Sequence, residues 1–566
     1  METSYARPQS PPAATLGMTL AELVRVQCSS WALEDQLEAH ADACLAMQIN
    51  AEPASACGTY IRGRVVAYVF SLGPRFQERL VARPAALTVA SLAAIVGISL
   101  ALGFYNYDFL YGAHADEPMK VALVVDKPHN YFHPPLLIVL ARLVAWFGSA
   151  SSDLERLWAG RFVSVMAMAA GSALFYLVLK RYADSLQAFI WSCVFATSPA
   201  IAVHAHFFKE DALLVFAICL GLHALARLAE RMDLRNLVYF GIALGLAPSA
   251  KYVGLLNSVG LFAFALWHCR PGTRGAAIVV VSALATMLAV LLASLASESG
   301  TGLGDVLAGL ARELKHAEDG HDLKEWFWAG YGLTHLRHHL LAGITAMTFL
   351  IGLGAICLAL ARDRNRQVAA FAAGALIWLF LLELSPLKIV GQMRYVLPVV
   401  IYFLLAAGIA SSCSVASRSR AGAMALALVA LTVTAHAGIS YVRNMNPSRD
   451  TRTKAVEFLT ASGTVNFVSD YPIGYPVAQT WDYRTLASHD YLLSLRFERY
   501  LRGGELRRQD AQVYALASMY HCLNGYVVAT FSQLYGDYGF VAPTVKIYDL
   551  KRGASCIPPA WPASGW

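Results

Sequence analysis

The segment Pro84-Ala-Ala-Leu-Thr-Val-Ala-Ser-Leu-Ala-Ala-Ile-Val-Gly-Ile-Ser-Leu-Ala-Leu-Gly-Phe104 decides how the rest of the chain is read. It carries no charge, and as a helix rising about 1.5 Å per residue it crosses a hydrocarbon core of about 30 Å. Apolar runs of similar length recur at 158–179, 275–296, 340–361 and 421–441. The 566 residues are 57% hydrophobic and only 15% charged, with a mean hydropathy of +0.48. A soluble globular chain is about 45–50% apolar and about 25% charged. A water-soluble surface needs that missing charge and a bilayer-facing surface does not. The sequence therefore reads as a mainly α, polytopic membrane protein.

The net charge of +7 does not point to nucleic acid. The basic residues lie in short clusters between apolar runs, as in cytoplasmic loops. No cleavable signal peptide is expected, because the first strongly apolar run begins too late for one. Placing every Lys/Arg cluster on the cytoplasmic side gives about eleven spans. They start at Pro84, Trp158, Leu186, Asp211, Leu237, Gly254, Gly275, Leu340, Val368, Tyr395 and Ala421. Residues 1–83 are then a cytoplasmic tail in which 20–50 has helical spacing. Residues 84–441 form the membrane domain, with external loops at 105–157 and 297–339. Residues 442–566 turn polar, with strand-like runs at 465–469, 526–531 and 545–550, and read as a small extracytoplasmic α/β domain. Of ten cysteines only Cys522 and Cys556 fall in that domain. Disulfides form in oxidising compartments, so these two are expected to pair.

The chemistry-bearing residues gather on the external side. His114-Ala-Asp-Glu-Pro118 follows the first span, and His133-Pro-Pro135 lies beyond it. One of two adjacent carboxylates, Asp116 and Glu117, can take a proton from an incoming hydroxyl or amine while the other orients the acceptor or a cation. Taken alone, the pair also suits an ordinary solvated loop. Other positions then weigh in. Arg161 sits near the outer end of the second span, where a cation is costly without an anion. Asp211 opens the fourth span after His204-Ala-His206-Phe-Phe. Lys251 stands near the same face, and Lys388 and Arg394 are placed there too, against the positive-inside bias. A carboxylate base with fixed cations suits a reaction that expels a phosphate.

In order along the chain, HADEP (114–118), NYFHPPL (130–136), GRFVS (160–164), the 198–211 stretch ending in Asp211, GIALG (241–245), AKYVGLL (250–256) and RYVLP (394–398) resemble the GT-C superfamily of polyprenyl-phosphate-sugar-dependent glycosyltransferases. Within it, the chain is similar to the protein O-mannosyltransferases and the aminoarabinose transferases. The resemblance runs from about Pro84 to about Phe458. It implies a sugar donor on a polyprenyl phosphate, inverting transfer, and a bacterial inner membrane. Asp116 would be the base, assisted by Glu117. Arg161, Lys251 and Arg394 would hold the donor phosphate. Asp211, His206 and His133 would line the acceptor or a cation site. The chain departs from the pattern at Ala115, where many relatives have proline, and at Lys209-Glu210, a more charged turn than usual.

The partners implied are the lipid donor, the bilayer and a glycan, lipid or protein acceptor, with glycan or lipid favoured because no peptide-binding module is recognisable. No cofactor is assigned, and a divalent cation stays open. His316, Glu318, Asp319, His321, His335, His338 and His339 include ligand types but match no metal spacing; with Trp326, Trp328 and Tyr331 they read as acceptor cleft or interfacial belt. The alternative function is a transporter or flippase for a lipid-linked or anionic substrate. It would show paired, interrupted helices in two related halves, which the sequence lacks. A non-catalytic subunit of the same fold is a third reading.

Overall fold

The computed structural model describes residues 84–558 apart from several stretches, chiefly 110–113, 126–132, 270–272, 297–303, 313–332, 385–392, 414–419, 471–477, 496–510 and 534–540. The chain divides into two compact units, Met1–Leu87 and Thr88–Trp566. The expected 20–50 helix, the 316–321 His/acid cluster, Trp326, Trp328, Tyr331 and Lys388 lie outside the described residues.

The helices are α1 (Pro84–Phe104), α2 (Glu117–Val124), α3 (Leu136–Phe147), α4 (Asp153–Leu179), α5 (Ser185–Thr197), α6 (Pro199–His204), α7 (Glu210–Glu230), α8 (Leu234–Ala250), α9 (Gly254–Cys269) and α10 (Thr273–Ala296). A π-helical turn at His335–Leu340 runs into Leu341–Ile344. Then follow α11 (Ala346–Asp363), α12 (Arg366–Leu384), α13 (Leu397–Cys413) and α14 (Arg420–Asn444). Each segment expected to span carries a helix. Among the described residues six of them are long and apolar enough to cross a membrane, or seven counting the bent pair around Thr345 as one. The protein is an integral membrane protein.

Sequence chemistry marks where these helices begin. Ser152 accepts from the Glu155 N–H while the Glu155 carboxylate accepts from the Ser152 N–H, so two orphan donors at the start of α4 are satisfied. Asp184 and Asp233 cap α5 and α8 in the same spirit. Packing then sorts the bundle. Helices α4, α7 and α13 are largely buried, whereas α1, α12 and α14 turn apolar side chains outward. On α12, Leu376, Ile377 and Phe380 are 59–65% exposed, an unfavourable face in water and the natural one in hydrocarbon. In the interior, α7 packs on α4 and α8, and α13 on α11 and α12.

Beyond α14, α15 (Thr451–Ala461) and α16 (Ala511–Leu523) cover a five-stranded sheet. Its strands are β1 (Phe467–Ser469), β2 (Ala478–Gln479), β3 (Tyr491–Ser494), β4 (Val527–Phe531) and β5 (Val545–Asp549), in the order β2-β1-β3-β5-β4. β1 runs parallel to β2 and β3, and β5 antiparallel to β3 and β4. Successive strand residues point to opposite faces. Leu493 and Ile547 therefore join Ala455 and Leu459 of α15, while Leu492 and Tyr548 join Met519 and Leu523 of α16. A disulfide between Cys522 and Cys556, with Cα atoms 5.5 Å apart, ties the end of α16 to the segment after β5. Asn106, just after α1, donates to the Val442 carbonyl at 3.1 Å and so links the segment following α1 to the end of α14.

Candidate active site

Five elements converge at one end of the bundle: the start of α2, the N-terminal part of α4, the turn before α7, the turn after α8 and the segment entering α13. Pro118 in the first turn suits α2, because a helix start leaves that N–H unpaired anyway. Asp116 stands at the N-cap position but makes no side-chain cap bond. Its carboxylate is left for other partners.

Glu117 is fully buried. Arg161 meets it with a two-pronged ion pair, Nε to Oε1 at 3.0 Å and Nη2 to Oε2 at 2.8 Å. The remaining guanidinium edge donates to the Tyr107 and Phe109 carbonyls at 3.1 and 2.8 Å, with the Phe109 ring 3.9 Å away. The Phe208 N–H donates to Glu117 Oε1 at 3.0 Å. Gly160 makes this possible, since a Cβ there would stand 2.3 Å from the Phe208 ring. In this arrangement Arg161 is consumed in holding Glu117, not left facing a ligand.

Asp116 lies beside this knot and is the one site carboxylate that reaches solvent, its side chain 34% exposed. It ion-pairs with Lys209 and stands 3.6 Å from Arg394 Nη1. Burial works to raise the Asp116 carboxyl, but Lys209, His114 and Arg394 together outweigh it and hold it well below the carboxylate range. The Asp116 N–H donates to His114 Nδ1 at 3.2 Å, which puts any neutral-ring proton on Nε2. Burial, then the Lys209 charge, keeps the His114 ring well below its ordinary value. Burial and Arg394 likewise push the Lys209 ammonium down to about 8, against the pull of Asp116 and Glu210.

Two further ion pairs flank Asp116. Lys120 of α2 pairs with Glu210, both nearly sealed from solvent. Lys251 Nζ meets Asp211 Oδ1 at 2.7 Å. The turn that delivers Lys251 depends on Gly254, where a Cβ would fall 2.2 Å from the Ala247 carbonyl oxygen. Lys251 and Arg394 each stand 5.6 Å from the Tyr395 ring. Asp211 Oδ2 and Glu210 Oε2 are buried without a hydrogen-bond partner.

Of the expected residues, the structure gathers Asp116, Glu117, Arg161, Asp211, Lys251 and Arg394. His133 is half-buried beside α3, with Glu210, Lys120, Lys209 and Lys251 as its charged neighbours; burial above all holds its ring well below the ordinary value. His206 is fully buried, its ring nitrogens 2.8 Å from the Ala202 carbonyl and 3.0 Å from the Tyr105 carbonyl, so it is built into the backbone rather than facing a cleft. The sequence reading missed Lys120, Lys209 and Glu210 as members of the site; the three successive charges Lys209-Glu210-Asp211 at a span mouth were the available signal. Among the described residues no group of three or more His, Cys, Asp or Glu stands where it could hold a metal ion.

Against this geometry stand the comparisons with known proteins. The family described as dolichyl-phosphate-mannose-protein mannosyltransferase matches residues 133–296. No curated protein matches the chain. Among solved structures the chain is similar to the S. cerevisiae protein O-mannosyltransferase Pmt1-Pmt2 complex bound to the sugar donor, at 21% identity over 41% of this chain and 33% of that one, TM-score 0.32. The chain thus spans a third of that relative's length. It is also similar to ArnT from Cupriavidus metallidurans bound to undecaprenyl phosphate, at 14% identity over 66% and 72%, TM-score 0.46. A third similarity is to the archaeal oligosaccharyltransferase AglB from Archaeoglobus fulgidus in complex with an inhibitory peptide and a dolichol-phosphate, at 13% identity over 78% and 72%, TM-score 0.46. The matched stretch 133–296 lies within the part of the chain whose motifs resemble the polyprenyl-phosphate-sugar-dependent glycosyltransferases.

Proposed function

We propose that this chain is a membrane glycosyltransferase that moves a sugar from a polyprenyl-phosphate donor to an extracytoplasmic glycan or lipid, with inversion and with Asp116 as the base. One observation carries the reading. Five cations (Lys120, Arg161, Lys209, Lys251 and Arg394) form a cluster of ion pairs with four carboxylates (Asp116, Glu117, Glu210 and Asp211), and only Asp116 among these acids reaches solvent. The surplus positive charge suits an anionic donor, and the exposed carboxylate suits an incoming hydroxyl or amine.

In the proposed step Asp116 takes the acceptor proton as the acceptor atom bonds to the sugar's anomeric carbon. The bond from that carbon to the phosphate oxygen breaks, and its electron pair leaves on the lipid phosphate. Arg394 and Lys251 neutralise the developing charge in a preorganised, poorly hydrated site. Arg161 works at one remove, fixing Glu117 and through it the start of α2. Asp211 holds Lys251, and His133 lines the acceptor side. His206 braces the turn before α7. The topology that goes with this reading has eleven spans, a cytoplasmic tail over 1–83 and an extracytoplasmic domain over 442–566, whose disulfide suits an oxidising compartment such as that outside a bacterial inner membrane.

The test is transfer of labelled sugar from a panel of polyprenyl-phosphate sugars in membranes, with wild type and Asp116→Asn at matched expression. Loss of about 10²–10⁴-fold in Asp116→Asn is expected for removal of a positioned base. Equal activity in the two, or turnover of no donor, would sink the assignment.

A further inference from the structure

Asp116, paired with two cations, is a poor base. A carboxylate held far below its ordinary range gives up little driving force for taking a proton. Something must relax that grip before chemistry, and the five cations are not equally able to move.

Arg161 is fixed by its bonds to Glu117 and two carbonyls. Lys120 faces Glu210 in a pair almost wholly out of water. Lys251 would leave the buried Asp211 unpaired. Lys209 differs. It occupies the N-cap position of α7 in extended backbone, and its partner is the one acid that water can resolvate. A lysine is a compact charge on a flexible stem, able to re-aim its ammonium without the planar constraint of arginine. Arg394, which approaches the same Asp116 oxygen as Lys209, has a buried Nε without a hydrogen-bond partner.

We infer that Lys209 gates the base: its ammonium restrains Asp116 until the donor's phosphate arrives beside Arg394, then passes to that phosphate and frees the carboxylate for the acceptor. The inference rests on the donor reading above. It makes Asp116 and the donor phosphate competitors for one ammonium. Arrival of the substrate both neutralises the phosphate and strengthens the base.

Competition can be measured without knowing the sugar. The probe is undecaprenyl phosphate, titrated against the full-length protein in lipid nanodiscs, with thermal melts confirming that each variant is folded. Asp116→Asn releases Lys209 and is expected to bind the probe about fivefold or more tighter than wild type. Lys209→Gln is expected to bind it about fivefold or more weaker, and Lys209→Arg to recover most of that loss. In a Lys209→Gln background, Asp116→Asn should change affinity by less than about twofold. Asp116→Ser gives the same comparison if the Asn variant is poorly folded. Tightening by Asp116→Asn that persists without Lys209 would be a general charge effect and would overturn the gate, as would no tightening. Failure of wild type and every variant to bind the probe would instead remove the donor reading beneath it.

Discussion

Two adjacent carboxylates, Asp116 and Glu117, are expected to fail in different ways when neutralised. Glu117 and Arg161 are both at 0% side-chain exposure and meet through two hydrogen bonds. Glu117→Gln keeps the shape but turns an amide NH2 toward the guanidinium and leaves its charge uncompensated. Removing one partner of a buried pair costs about 3–5 kcal/mol. At about 2–4 °C per kcal/mol for a mid-sized domain, and less for a longer unit, the melting temperature should fall by about 5–10 °C. Asp116 is partly hydrated, and its buried partner Lys209 keeps Glu210 as a neighbouring carboxylate when Asp116 is neutralised, so the loss is expected to cost about 1 kcal/mol or less. Asp116→Asn should therefore melt within about 2 °C of wild type while losing activity. The assay is thermal unfolding of detergent-purified protein beside the sugar-transfer assay. Replacing both buried partners, Glu117→Met with Arg161→Met, should regain part of the stability, since apolar isosteres often match a buried ion pair. It should recover no activity. The reasoning is refuted if Glu117→Gln melts with wild type, or if Asp116→Asn falls as far as Glu117→Gln.

Burial and Arg394 push Lys209 down to about 8, with Asp116 and Glu210 opposing and Lys120 adding to the shift. Its ammonium is present below that pH and lost above it, so the donor KM should rise as pH climbs through about 8; Lys209→Arg, still charged at pH 9, should flatten the rise, and a flat wild-type profile would contradict the assignment. Gly160→Ala puts a Cβ 2.3 Å from the Phe208 ring and displaces the N–H that Glu117 accepts from; overpacking of about 1–3 kcal/mol should lower both melting temperature and transfer rate, and an unperturbed variant would show that Phe208 can shift freely. Opening the Cys522–Cys556 disulfide, which spans a sequence separation of 34, should cost about 3–4 kcal/mol by the chain-entropy account. Limited proteolysis of Cys522→Ser/Cys556→Ser should then cut faster between α16 and β5, with the membrane helices unaffected.

The helices were legible because a bilayer removes the usual compromise between apolar core and charged surface. A run such as Pro84–Phe104 has little else to be. Strands β1, β4 and β5 coincide with runs rich in β-branched and aromatic residues. Strand β3, Tyr-Leu-Leu-Ser at 491–494, went unread: it lies between β1 and β5 with both faces covered, so its sequence has no alternation to see. At the site, sequence showed which charges were out of place but not which met. Arg161 looked like a cation awaiting a phosphate because its partner, Glu117, lies 44 residues earlier and only the packing of α2 on α4 joins them. Lys120 and Glu210, 90 residues apart, are invisible as a pair for the same reason.

That pattern bears on how the site can work. Each buried ion pair is at best a small net contributor to stability, because desolvation offsets most of the Coulomb gain. A bundle gathering this many at one end does so at the expense of stability that the apolar contacts of α4, α7 and α13 supply. Such a cluster makes physical sense if the fixed charges act on a bound group that changes charge. Dipoles and ions already in place need no reorganisation when charge moves from an acceptor oxygen or nitrogen to a leaving phosphate. The burial pattern matches this division. Glu117, Glu210 and Asp211 are sealed and hold cations in place, while Asp116 alone of the four is partly exposed, as the proposed exchange of partner and uptake of a proton require.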